Sequence, residues 1–82
     1  MKLEEKIADG VMKAIARIFR KDVSELSEST RFLEDLHAKS VNIVELIAVL
    51  QNEFQVEIPM MKARRQKTIG ESIAFIIALR KG

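Results

Sequence analysis

Eighty-two residues without a cysteine allow one small domain, here taken as residues 1–82, that must fold without disulfides or a thiolate-bound metal. A composition of 48% apolar and 32% charged residues suits a packed core, while the lack of cysteine and the single histidine, His37, exclude thiol chemistry, zinc fingers and paired-imidazole metal sites. The formal charge of +2 hides a strong polarity: residues 22–58 carry two basic against eight acidic groups, and residues 59–82 carry six basic against one acidic.

Along the chain, Leu3, Ile7, Val11, Ile15 and Ile18 recur every three or four positions, which predicts an amphipathic helix over residues 3–20. Glu4 and Glu5 at its start and Arg17, Arg20 and Lys21 near its end suit the helix dipole. Gly10 weakens it locally by about 1 kcal/mol relative to alanine, yet the pattern runs through. Residues 21–39 lose this period. The run Asp22 to Thr30 is rich in turn-forming residues, and Val23, Leu26, Phe32, Leu33 and Leu36 punctuate the segment as apolar anchors. A long loop pinned to the core is expected there, and long ordered loops in small domains are often functional.

Ile43, Val44, Ile47, Leu50 and Phe54 form a second stripe, widened by Leu46 and Val49, and predict a helix over residues 40–54. Val56-Glu57-Ile58-Pro59 stops it, because the residue before proline is biased out of the helical region. Residues 60–67 have room for a short helical turn, and Ile69, Ile73, Ile76, Ile77 and Leu79 predict a last helix over 69–80. The fold class is therefore all-α: a small four-helix bundle with three main helices, one short helix and a long first connection. The start of the chain lacks the apolar run of a signal peptide, and the longest apolar run, Ile73 to Leu79, falls well short of the roughly 20 residues a membrane helix needs. A cytoplasmic monomer with no stable membrane insertion is expected.

The stretch Phe32-Leu33-Glu34-Asp35-Leu36-His37-Ala38-Lys39-Ser40-Val41 is followed by Glu45-Leu46, then Glu53-Phe54, then Glu57-Ile58-Pro59. This run resembles the acyl carrier protein family, whose members read F-x-E-D-L-G-A-D-S-L, V-E-L, E-E-F and E-I-P at the same spacing. The resemblance extends from the first helix to the last. It implies a non-enzymatic carrier with no catalytic residue and no metal. Ser40 would bear 4′-phosphopantetheine, donated by coenzyme A through a phosphopantetheinyl transferase, and the arm's thiol would hold acyl intermediates of fatty acid, lipid or polyketide synthesis as thioesters.

The physical setting suits that role. Ser40 stands where a loop enters a helix, so a phosphodiester on its Oγ meets free N–H groups and the positive dipole end. Serine there is also a favoured N-cap, although Ile43 in the third following position supplies no capping-box acid. The apolar stripes are core by default; the resemblance adds that helices can part to shelter a chain, with Ile47, Leu50, Ile58, Ile69 and Ile73 as candidate lining.

The chain departs from the family's acidic habit. Lys39, Val41, Asn42 and Glu45 surround the serine and first turns of the second helix, Gln51-Asn52 replace a usual acidic pair, and Met60-Met61-Lys62-Ala63-Arg64-Arg65-Gln66-Lys67 carries +4. Met60, Met61, Lys62, Arg64 and Arg65 complete the candidate recognition surface. An acid exchanged for a base turns attraction into repulsion. This points to loading, condensing or acyltransferase partners with acidic or apolar surfaces, a dedicated enzyme set. His37 replaces the family's glycine and implies a backbone outside glycine-only dihedrals. Peptidyl carriers have paired glycines before the serine, which His37-Ala38 does not supply. Two other readings compete: a small basic DNA-binding protein using Lys62–Lys67, Arg80 and Lys81, although no helix shows a basic recognition face, and a carrier-like interaction module that has lost its arm.

Overall fold

The computed structural model describes residues 2–82 and contains four α-helices: α1 Leu3–Phe19, α2 Ser40–Phe54, α3 Met60–Ala63 and α4 Ile69–Lys81. These boundaries differ from the expected ones by no more than a residue at the ends of α1 and α4, and α2 agrees at both ends. Ile7, Val11 and Ile15 of α1 are wholly buried, and Ile69 of α4 joins them at the centre of the core. Leu3, the first member of the α1 stripe, is exposed, because the first turn runs past the end of the core. Gly10 is explained by packing. A Cβ there would lie 2.5 Å from Cζ of Phe54, so the missing side chain lets the Phe54 ring of α2 approach α1.

Arg20 ends α1 in the left-handed conformation (φ 56°), and the Lys21 N–H donates to the Ala16 carbonyl at 2.9 Å, closing the last turn. The connection that follows is ordered by its own polar groups. Asp22 and Glu25 form a capping box around a single 3₁₀ turn, Val23–Glu25. Backbone bonds then strap the loop to the entrance of α4: Gly70 N–H to Glu28 carbonyl, Ile69 N–H to Thr30 carbonyl, and Phe32 N–H to Lys67 carbonyl, at 2.8–3.0 Å. Arg31 and Thr68 consequently pair as an isolated antiparallel bridge. Phe32 and Leu36 are the buried anchors, whereas Val23 and Leu33 are exposed, so only part of the apolar set expected to pin the loop does so.

In α2, Leu46, Ile47 and Leu50 are buried and Ile43, Val49 and Phe54 are partly so. Val44 is exposed, against expectation. At about 100° per residue it rotates onto the arc of Val41 and Ala48, away from Leu46 and Leu50. Gln55 closes α2 with a left-handed backbone (φ 53°), and the Gln51 side chain accepts from the Ile58 N–H at 2.9 Å, fixing the path toward α3. Thr68 caps α4 by accepting from the Glu71 N–H at 3.1 Å, while the Glu71 carboxylate accepts from the Lys67 N–H at 2.7 Å. Lys81 reaches Glu4 at 2.6 Å, tying the last turn of α4 to the first of α1. Among the described residues, no helix is long and apolar enough to cross a membrane.

Candidate functional site

The backbone before Ser40 is set by a tight helical turn. Arg31 and Asp35 close it: the Arg31 N–H donates to the Asp35 carboxylate at 2.8 Å, and the guanidinium pairs with the same group at 3.0 Å. The Arg31 side chain, and secondly its backbone N–H, hold the Asp35 carboxyl below the usual carboxylate range. The turn ends at His37, whose φ is 52°, and the Ala38 N–H returns to the Phe32 carbonyl at 2.9 Å. The corner thus lies in the left-handed region that glycine favours, though not in dihedrals open to glycine alone. Histidine is among the non-glycine residues found there, and here it holds the left-handed turn while its side chain stays exposed.

Ser40 is the first residue of α2 rather than its N-cap; Lys39 occupies that position with extended backbone. The cap is supplied from inside the helix, where Asn42 Oδ1 accepts from the Lys39 N–H at 2.9 Å. Asn42 therefore does the reaching-back normally done by a glutamate three residues after the cap. The Ser40 side chain is exposed, and among the described residues its hydroxyl has no hydrogen-bond partner. The backbone N–H groups of Ser40 and Val41 likewise have no acceptor among the described residues, as befits the first turn of a helix.

Beside Ser40 opens a cavity of about 450 Å³, within the size range of small-ligand pockets. Ile43, Leu46, Ile47 and Leu50 line it from α2, Ile58 and Ala63 from the region of α3, and Ser72, Phe75 and Ile76 from α4. Phe32, Leu33 and Ala38 of the loop complete the apolar wall, and Glu34, Lys39, Arg64 and Lys67 add exposed charge. Of the five residues expected to line a pocket, Ile47, Leu50 and Ile58 do. Ile69 and Ile73 belong to the core and do not border the cavity; Ile73 lies about 100° around α4 from Ser72, and Ile69 lies nearer the helix start. Sequence reasoning missed Ser72, Phe75 and Ile76, for which the i, i+3, i+4 spacing was the available signal.

The residues expected to meet partners fall into three groups. Val41 and Glu45 are exposed on α2 beside Val44 and Ala48, an outward face with little charge. Met60, Met61, Lys62, Arg64 and Arg65 are exposed on and just after α3, and Lys39 is exposed next to Ser40. Asn42 is half-buried and committed to its cap. Lys62, Arg64, Arg65 and Lys67 lie on a four-residue helix and the turn after it, and Arg80 and Lys81 in the last turn of α4, so the basic residues share no one helix face of the kind that reads DNA.

The site so described meets the requirements of a tethered anionic arm: an exposed hydroxyl, free N–H groups, cations beside it, and an apolar space adjoining. Residues 9–76 match the family described as phosphopantetheine attachment site. The chain is 38% identical over 73 residues to the acyl carrier protein of Lactobacillus acidophilus, covering 89% of this chain and 91% of that one. It is 40% identical over 57 residues to the acyl carrier protein of Helicobacter hepaticus, covering 70% and 75%. Its fold superposes on the solved acyl carrier protein from Enterococcus faecalis with a TM-score of 0.80 at 24% identity, over 95% of this chain and 99% of that one. A match across most of the chain, with full-length relatives above 30% identity and the same helical architecture, places this protein in the acyl carrier protein family.

Proposed function

We propose that the protein is a non-enzymatic acyl carrier of the cytoplasm, a single carrier domain over residues 1–82, with Ser40 as the point of 4′-phosphopantetheine attachment. The observation that carries this reading is the exposed, unpartnered Ser40 hydroxyl at the first turn of α2, on the wall of the apolar cavity. Ser40 Oγ would form the phosphodiester as the nucleotide part of coenzyme A leaves. The N–H groups of Ser40 and Val41, the dipole of α2 and the neighbouring Lys39, Arg64 and Lys67 favour the resulting negative charge. When bound, the arm supplies a thiol that holds an acyl group as a thioester, so the chain needs no cysteine of its own. The cavity walls of Leu46, Ile47, Leu50, Ile58 and Phe75 give that acyl group an apolar shelter.

The partners are a phosphopantetheinyl transferase and acyl-loading, condensing or acyltransferase enzymes. The α2 face of Val41, Val44, Glu45 and Ala48 and the cationic α3 segment favour members of those classes whose docking surfaces are apolar or acidic. Incubation with coenzyme A and a phosphopantetheinyl transferase, followed by intact mass measurement, tests the site. One phosphopantetheine increment is expected, absent in Ser40→Ala. An increment that persists in Ser40→Ala refutes the assignment, and no increment with the transferases of the source organism favours an interaction module without an arm.

A further inference from the structure

Ser72 is the buried polar side chain of the molecule: among the described residues no other polar or charged side chain is as deeply enclosed, and it lies on the wall of the cavity beside Ser40. Leu46, Leu50, Ile58, Phe75 and Ile76 in the same lining are apolar, and the half-buried Gln66 there donates from Nε2 to the Lys62 carbonyl at 3.0 Å. A serine hydroxyl has one proton to donate and two lone pairs to accept with. The Ser72 proton is committed, since Oγ donates to the Ile69 carbonyl at 2.7 Å within α4. What remains to Ser72 Oγ is therefore acceptor capacity alone, in surroundings where an unmet polar group is costly.

We infer, resting on the acyl-carrier reading above, that Ser72 makes this cavity selective for acyl chains that bear a hydroxyl group. A hydroxyl on the sheltered chain donates to the free lone pair of Ser72 while the bond to Ile69 stays intact. A saturated chain leaves that lone pair facing methylenes. A keto oxygen brings acceptor against acceptor, and Ser72 must give up Ile69 to satisfy it. The order of preference is hydroxyacyl, then saturated, then ketoacyl.

The test loads the arm with chains of equal length: saturated, 3-hydroxy, mid-chain hydroxy and 3-oxo. Intact mass confirms one acyl group per protein before thermal unfolding is followed by far-UV circular dichroism. Failure to load counts against the Ser40 site; the comparison among loaded forms bears on Ser72 alone. At least one hydroxylated form should melt about 4–8 °C above the saturated form, the shift expected for one net hydrogen bond in a domain of this size. The 3-oxo form should gain nothing over the saturated one. In Ser72→Ala, a substitution that favours helix and leaves the fold intact, the hydroxyl advantage should vanish. Equal melting of hydroxylated and saturated forms in the unsubstituted protein overturns the inference, as does an advantage that survives Ser72→Ala.

Discussion

Leu50→Ala and Ile15→Ala form a pair that tests whether the cavity is open in solution. Each substitution removes three carbons from a nearly or wholly buried side chain, a transfer loss of about 2.4 kcal/mol at roughly 0.8 kcal/mol per methylene. They differ in what surrounds the lost atoms. Ile15 is enclosed in the core, so its removal adds a new void and brings the total toward about 4 kcal/mol. Leu50 already borders the 450 Å³ cavity, so one side of it has few atoms to lose contact with, and the cost stays nearer 2–3 kcal/mol. A domain of 82 residues has roughly 4–12 kcal/mol of stability in all, so the first variant survives comfortably and the second sits near the margin. Urea unfolding followed by far-UV circular dichroism measures both, since the chain has no tryptophan or tyrosine to report by fluorescence. Equal losses for the two variants would show that the space beside Leu50 is filled in solution, and the proposed acyl shelter would go with it.

Asn42→Ala removes the acceptor for the Lys39 N–H and should cost about 1 kcal/mol in the same unfolding assay; a loss below about 0.3 kcal/mol would mean water replaces that cap fully. At the left-handed corner, His37→Gly should hold or raise stability by up to about 1 kcal/mol, whereas His37→Val should lower it by about 1–2 kcal/mol; a tolerated valine would contradict the observed backbone. Asp35, whose carboxyl Arg31 holds below its ordinary value, contributes stability that is present above the unfolded-state value and lost as pH falls through the folded-state one. Asp35→Asn should therefore be less stable than the unsubstituted protein at neutral pH and equal to it in strong acid, checked by thermal melts across pH; a gap independent of pH would rule out the ionic cause. Reversing Lys62, Arg64 and Arg65 to glutamate should raise kcat/KM by about tenfold at low salt with a phosphopantetheinyl transferase whose docking surface is basic, and the gain should shrink at high salt. A rate indifferent to the reversal would make the cationic segment a mere solvated surface.

Periodicity made the helices legible because each buries one stripe against a common core, and the turn-rich run from Asp22 foretold a loop. It could not say how that loop is held, since the bonds from Phe32, Ile69 and Gly70 are made by backbone groups that every residue carries. Ser40 was legible as a corner residue, and its motif carried the resemblance. The cap was not, because Asn42 replaces the acid that the usual pattern requires. Val44 was read as part of the α2 stripe and Leu33 as an apolar anchor of the loop; rotation around α2 and the turn before His37 decide otherwise. The cavity was only half legible for a similar reason. All isoleucines of α4 look alike in a stripe, and which of them faces α2 across the gap depends on how the helices pack.

The exposed apolar residues and the unusual charge belong to one physical situation. Around Ser40 the protein leaves Leu33, Val41 and Val44 uncovered, and Met60 and Met61 flank the cationic segment on α3. In a chain this small, with other apolar side chains available to the core, leaving these out of it forgoes burial on the order of 1.5–3 kcal/mol each. On the proposed reading, the charged rim around such residues would set which partner surfaces the carrier meets productively, and the apolar contacts would supply affinity once the rim is satisfied. Cations at Lys39, Arg64 and Lys67 also lower the cost of placing a phosphodiester at the mouth of an apolar cavity. On the proposed reading, cations that repel a basic enzyme surface would also favour an arm on Ser40, so Lys39 and Arg64 would couple partner choice to arm placement.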